Sequence, residues 1–221
     1  MLMFSIGFYI FFVIFFFVSV FASIFNYKKR FNLTYHVRNT FPYELNYESR
    51  FSDNILGNAA LIMSLCFLIG FYVILNVHLN NPIVLIASIV GCINSILIGT
   101  MFFVPLKLLK THMAFSIFLF LTAFLLPGIT AVIYFPYYQD FLEPLYLVFF
   151  IVSSVVALFY FGVTMNPKLT LNIKMDVKLD DKGQETYVRP KYITYAFSEW
   201  LSIFGAIIHP LLLIILLVLQ A

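Results

Sequence analysis

His112 and Glu199 are the residues whose types and positions point most directly to chemistry. Each opens a long apolar run. Those runs are the fourth and sixth of six, so they travel in the same direction and start at the same membrane surface. Ionisable groups at membrane depth are expensive and mark functional sites by default. A half-buried carboxylate there gains by pairing with an imidazolium, or with Arg38 or Arg50 from the loop between the first two runs. That loop also carries Glu44, Glu48 and Asp53. Together they predict a polar site on one face of the bundle, a pocket for a lipid headgroup or a partner. In an enzyme, His112, Glu199 and Glu48 would be the acid and base candidates. A plainer reading stands beside these. Glu199 near a helix start is favourable for dipole reasons alone, and both residues can sit at the interface paired with nearby Lys or Arg.

No catalytic fingerprint accompanies the pair. H-E-x-x-H, G-x-S-x-G, C-x-x-C, the Walker loop and the dinucleotide-binding pattern are all absent, so no cofactor is expected. His36, His78, His112 and His209 have no metal-ligand spacing along one helix, and no metal is expected either. Cys66 and Cys92 lie inside the second and third runs and read as buried small hydrophobes. Asn58, Asn94 and His209 lie deeper, where an interhelical hydrogen bond of about 1 kcal/mol is the ordinary use of such groups.

The elements that must position these residues are membrane helices. The chain is 62% hydrophobic and 10% charged, with a mean hydropathy of +0.99, outside the range of soluble globular proteins. A spanning helix needs about 20 mostly apolar residues. Spans are expected near Leu2–Phe25, Ile55–Leu75, Pro82–Pro105, His112–Phe135, Leu142–Val163 and Phe197–Leu219, forming one all-α, six-helix domain over residues 1–221. The first run is too long for a signal-peptide core and has no basic residue before it, so it reads as a retained helix.

Charge divides the loops sharply. All 13 Lys and Arg residues fall in the first, third and fifth loops, and none in the second or fourth. The positive-inside rule places those three loops in the cytoplasm and both termini outside. Such basic clusters attract anionic lipid at roughly 1 kcal/mol per residue, although orientation alone would also explain them. In loop five, residues 164–196, Leu169 to Leu179 alternate apolar and polar with period two. Asp180 to Gly183 reads as a turn and Thr186 to Tyr195 is again β-rich, which predicts a short extramembrane β-hairpin. Pro127-Gly128 and Pro210 predict kinks or breaks within spans four and six. Tyr134, Tyr137 and Tyr138 on one side, with Tyr192, Tyr195 and Trp200 on the other, read as aromatic belts.

Four segments carry a family resemblance. They are Phe41-Pro42-Tyr43 with Glu48-Ser49 in loop one, the small-residue stretch Ile86 to Gly91, His112-Met113-Ala114-Phe115, and Glu199-Trp200 followed by Phe204 and Gly205. Together they resemble the Frag/DRAM/Sfk family of six-helix membrane proteins, and a related uncharacterised prokaryotic six-helix family fits similarly. The resemblance implies roles in GPI-anchor and lipid remodelling, membrane trafficking or autophagy, and it brings no catalytic mechanism. Glu44-Leu45 stands where the family continues Ile-Ser, the loop-five hairpin is not a usual feature, and the charge pattern opposes the topology usual for animal members.

The reading is therefore an integral, non-enzymatic, lipid-associated membrane protein. Its partners would be membrane lipids and a membrane protein rather than nucleic acid. The alternatives are a membrane enzyme acting on a lipid headgroup and a structural subunit of a larger complex.

Overall fold

The computed structural model describes residues 2–46, 50–169, 176–179 and 185–219. Six helices among them are long and apolar enough to cross a membrane, and they form a helical, multi-pass bundle. The helices are α1 (Leu2–Phe31), α2 (Ile55–Leu79), α3 (Pro82–Met101), α4 (Leu109–Phe141), α5 (Pro144–Thr164) and α6 (Thr194–Leu219).

Two connections are as short as antiparallel helices allow. Asn80 ends α2 in the left-handed conformation at φ 40°, and Asn81 starts α3 by accepting a hydrogen bond from Ile83 N at 2.8 Å, with Pro82 at the first helical position. Leu142, at φ 53°, and Glu143 join α4 to α5 with the same left-handed end and proline start but without a side-chain cap. The long connections all lie at the opposite end of the bundle. There, loop one touches loops three and five: Ile193 N donates to Arg38 O, Asn39 Nδ2 to Pro190 O, and Asn46 Nδ2 to Phe102 O.

Helix α6 packs against α1, α3, α4 and α5, and α4 against α3, α5 and α6. These two are the most enclosed spans, each 56% buried along its most apolar window, against 17% for α5. Helices in lipid gain little from hydrophobic transfer, so close fit must hold them. Gly91 supplies it between α2 and α3, where a Cβ would lie 2.4 Å from the Tyr72 ring. Gly205 does the same between α5 and α6, with its Cβ position 2.3 Å from the Tyr160 hydroxyl.

Several expectations are corrected. Helix α3 stops at Met101 rather than Pro105, because proline disfavours the helical conformation in the residue before it, and Val104 is that residue. Helix α6 starts at Thr194, so Glu199 lies beyond its first turn and the helix-start explanation for this residue falls. Helices α4 and α6 continue through Pro127 and Pro210 without a break. The aromatic belts lose three members, since Tyr134, Tyr195 and Trp200 are buried in the bundle. Cys66 faces outward rather than into the core, and both thiols are free.

The expected hairpin over Leu169–Leu179 and Thr186–Tyr195 is not supported at those bounds. Most of the first segment and the Asp180–Gly183 turn lie outside the described residues, and Thr194 and Tyr195 are helical. What the structure describes in loop five is an antiparallel ladder of four residue pairs, β1 (Asp176–Leu179) against β2 (Glu185–Val188).

Candidate functional site

His112 and Glu199 meet at 2.8 Å, Nε2 to Oε1, and both side chains are completely buried. Neither is the first residue of its helix, and that shift buries them. His112 Nδ1 lies 2.7 Å from the carbonyl oxygen of Val104, in the segment between α3 and α4. A carbonyl only accepts, so Nδ1 must carry a proton. One further proton then lies between Nε2 and Oε1, on either atom. Imidazolium with carboxylate and imidazole with carboxylic acid both have zero net charge, which is the condition for burying the pair in lipid. Ser116, one turn beyond His112, places its hydroxyl 2.7 Å from the same Oε1 and 2.9 Å from His112 O. Glu199 Oε2 is buried without a hydrogen-bond partner. A proton held on Oε1 leaves Oε2 a neutral carbonyl oxygen, the form in which an unpartnered oxygen costs least.

Loop one roofs this pair. The rings of Phe41 and Tyr43 stand edge-on to the His112 imidazole, with centroids 6.0 and 5.6 Å away. Phe41 and Leu45 are fully buried and Thr40 nearly so. The roof is pinned from below by Trp200, whose Nε1 donates at 3.0 Å to both Tyr35 Oη and Thr40 O. Tyr35 in turn donates to Phe41 O at 2.9 Å and Thr40 O at 3.2 Å. Burial pushes the Tyr35 hydroxyl well above its usual range, so it keeps the proton it donates. Arg30, at the end of α1, donates from Nη2 to Leu45 O at 2.7 Å.

The remaining site candidates separate. Glu44 is buried at the roof's edge, where Oε1 accepts from Phe41 N at 3.0 Å and Oε2 pairs with Arg189 at 2.8 Å. Burial alone would lower the Arg189 pKa, but the adjoining Glu44 carboxylate outweighs it and the pKa rises. Glu44-Leu45, where the sequence departs from the resembled family, thus anchors the roof at both residues. Arg38 and Arg50 are exposed and do not reach Glu199, which is sealed beneath Phe41 and Tyr43. Arg50 belongs to the local turn before α2, its N–H donating to Asp53 Oδ2 at 2.7 Å. Glu48 lies outside the described residues.

Sequence reasoning missed Ser116, Arg189, Tyr35 and the inward face of Trp200. Ser116 was within reach, because four residues from His112 is one helical turn on the same face. Arg189 had no such signal, since it meets Glu44 only through the fold.

A second polar centre lies deeper. Both ring nitrogens of His209 are engaged, Nδ1 with the Tyr72 hydroxyl at 2.8 Å and Nε2 with Thr130 Oγ1 at 2.7 Å. Thr130 can donate onward to Leu126 O at 2.9 Å. Tyr72 donating to Nδ1, Nε2–H donating to Thr130, and Thr130 donating to Leu126 satisfies every group with a neutral imidazole. This is a closed interhelical network joining α2, α4 and α6. Asn94 Nδ2 similarly joins α3 to α4 through Thr122 Oγ1 at 2.7 Å. Asn58 instead bonds Phe51 O at 3.3 Å in loop one.

Two clefts open at the surface of the loop-one face. The first, about 390 Å³, is lined by Tyr35, His36, Val37, Arg38, Asn39 and Lys191. The second, of similar volume, shares His36 and Asn39 with it and adds Tyr27, Phe31 and Leu33 beside the Glu44–Arg189 pair.

No family model matches the chain, and neither a curated protein nor a solved structure does. The six-span architecture and the geometry above therefore define its class as an integral membrane protein.

Proposed function

We propose that this is a non-enzymatic, lipid-associated membrane protein, of the general kind the Frag/DRAM/Sfk resemblance implies. One observation carries the reading. The buried ionisable pair His112 and Glu199 is sealed from solvent and already hydrogen-bonded within the protein. A general acid or base must come within hydrogen-bond reach of its substrate. Here loop one covers the pair with two aromatic rings. The pair supports the reading as a neutral polar lock between α4 and α6, while the accessible clefts open on the loop-one face, one of them beside the last turns of α1. Mass spectrometry of gently purified protein is expected to find retained phospholipid. A preparation without lipid but with an equimolar second polypeptide would transfer the case to a complex subunit.

We infer further that the face formed by loops one, three and five is cytoplasmic. The support is that all 13 basic residues lie in those loops or in the helix turns that adjoin them. A tag at either terminus should then be accessible outside intact cells, and one in loop one should not. Asn32-Leu33-Thr34, an N-glycosylation acceptor pattern, should carry no glycan. A glycan at Asn32 or cytoplasmic termini would reverse the orientation.

A further inference from the structure

Among the described residues, Arg38 and Lys191 are exposed cations without an ion-pair partner, and they line the same cleft. They are brought together by the fold. Ile193 N donates to Arg38 O at 2.9 Å, and Asn39 Nδ2 reaches Pro190 O at 3.0 Å across 151 residues of sequence. The turn that carries Arg38 is itself closed, with Asn39 N and Thr40 N both donating to His36 O. Among the described residues, no carboxylate lines this cleft. The one acid at the neighbouring cleft, Glu44, is already held by Arg189 and by the Phe41 amide. The backbone that carries the two cations is thus fixed, so only their side chains need ordering to receive an anion.

The adjoining cleft supplies a second character. Tyr27 and Phe31 belong to the last turns of α1, and Leu33 follows them, so one side of this cleft is apolar and lies at the end of a helix long enough to span a membrane. An anion site continuous with an apolar shoulder at a helix end matches an amphiphile rather than a free solute. We propose that these joined clefts bind the phosphate of an anionic phospholipid. Arg38 and Lys191 hold the phosphate, with the His36 and Asn39 side chains at its edge, and Tyr27, Phe31 and Leu33 take the start of the acyl region. Guanidinium offers paired donors to phosphate oxygens and the lysine ammonium a point charge, so the two complement each other. The proposal rests on the lipid-associated reading above and names the lipid class.

The test uses the full chain in nanodiscs of phosphatidylcholine doped with phosphatidic acid, with retained lipid read by native mass spectrometry. Wild type is expected to keep phosphatidic acid in preference to phosphatidylcholine. The paired variant R38Q/K191Q should lose that preference by roughly thirtyfold, about fivefold for each charge removed. The control K28Q/K29Q removes two exposed cations from the same face, outside the cleft residues, and should change it far less. Equal losses in both variants would mean diffuse surface attraction and overturn the site. Release of the lipid by inorganic phosphate at low concentration would overturn the amphiphile assignment in favour of a free anion. Tight retention of phosphatidylcholine without preference would defeat this inference and leave the lipid-associated reading standing, whereas retention of no lipid would defeat both.

Discussion

Replacing His112 with alanine is expected to destabilise the bundle by about 3–5 kcal/mol, the range for removing one member of a buried ion pair. The truncation leaves Glu199 without its 2.8 Å partner and Val104 O without its donor, in a position with no solvent access. Glu199→Ala should cost a similar amount, because the imidazole then faces an apolar gap. The double variant H112L/E199L should be no worse than either single one, since it removes both ends of the pair and fills much of the volume. Trp200 is the sole tryptophan and stands one residue from Glu199, so its fluorescence during thermal unfolding in micelles reports on this site directly. Additive losses in the double variant would show that the two residues act independently and would remove the lock between α4 and α6.

The second large effect is expected at Trp200 itself. Truncation to alanine deletes a side chain only 1% exposed, at about 3–5 kcal/mol for a buried tryptophan. It also strips loop one of its central pin, the indole N–H shared between Tyr35 Oη and Thr40 O. Amide hydrogen exchange should therefore accelerate over the 35–45 segment much more than in the middle of α2. The variant W200F separates the two contributions. It keeps an aromatic ring against Phe204 and Phe102, which lie 5.6 and 5.8 Å away, and loses only the donor. Because Tyr35 still donates to Thr40 O, that loss should be about 1 kcal/mol. A W200F protein with loop one as exchangeable as in W200A would place the pin in the hydrogen bonds rather than the packing.

These two predictions describe one device. Loop one is a roof, and His112 with Glu199 is the beam beneath it. Phe41 and Tyr43 contact the imidazole edge-on, Trp200 ties the backbone between Tyr35 and Phe41, and the Glu44–Arg189 pair closes the outer rim. Within the loop, the His36–Asn39 turn stays accessible beside the buried roof, and that turn carries the cleft.

The membrane character and the number of spans were legible in the sequence, because a helix in lipid must satisfy its own backbone and therefore writes itself as a long apolar run. Chain direction was legible too: spans four and six run parallel, so His112 and Glu199 had to start from one surface. What direction alone left open was their depth and azimuth. Glu199 is enclosed because α6 begins at Thr194, and α6 occupies the middle of the bundle through its packing on four other helices. The partner of Glu44 was equally hidden. Arg38 and Arg50 were closer in sequence, but their side chains stay at the surface while Arg189 is delivered from loop five. The inward turn of Tyr134, Tyr195 and Trp200 was hidden for the same reason, since an aromatic near a span end serves a belt or a core equally well until its neighbours are known. Apolar periodicity and loop charge are properties of single segments, and the sequence by itself determined those. Only the tertiary structure decided which polar groups face each other, because that depends on helix rotation and on loops packing across distances no local pattern records.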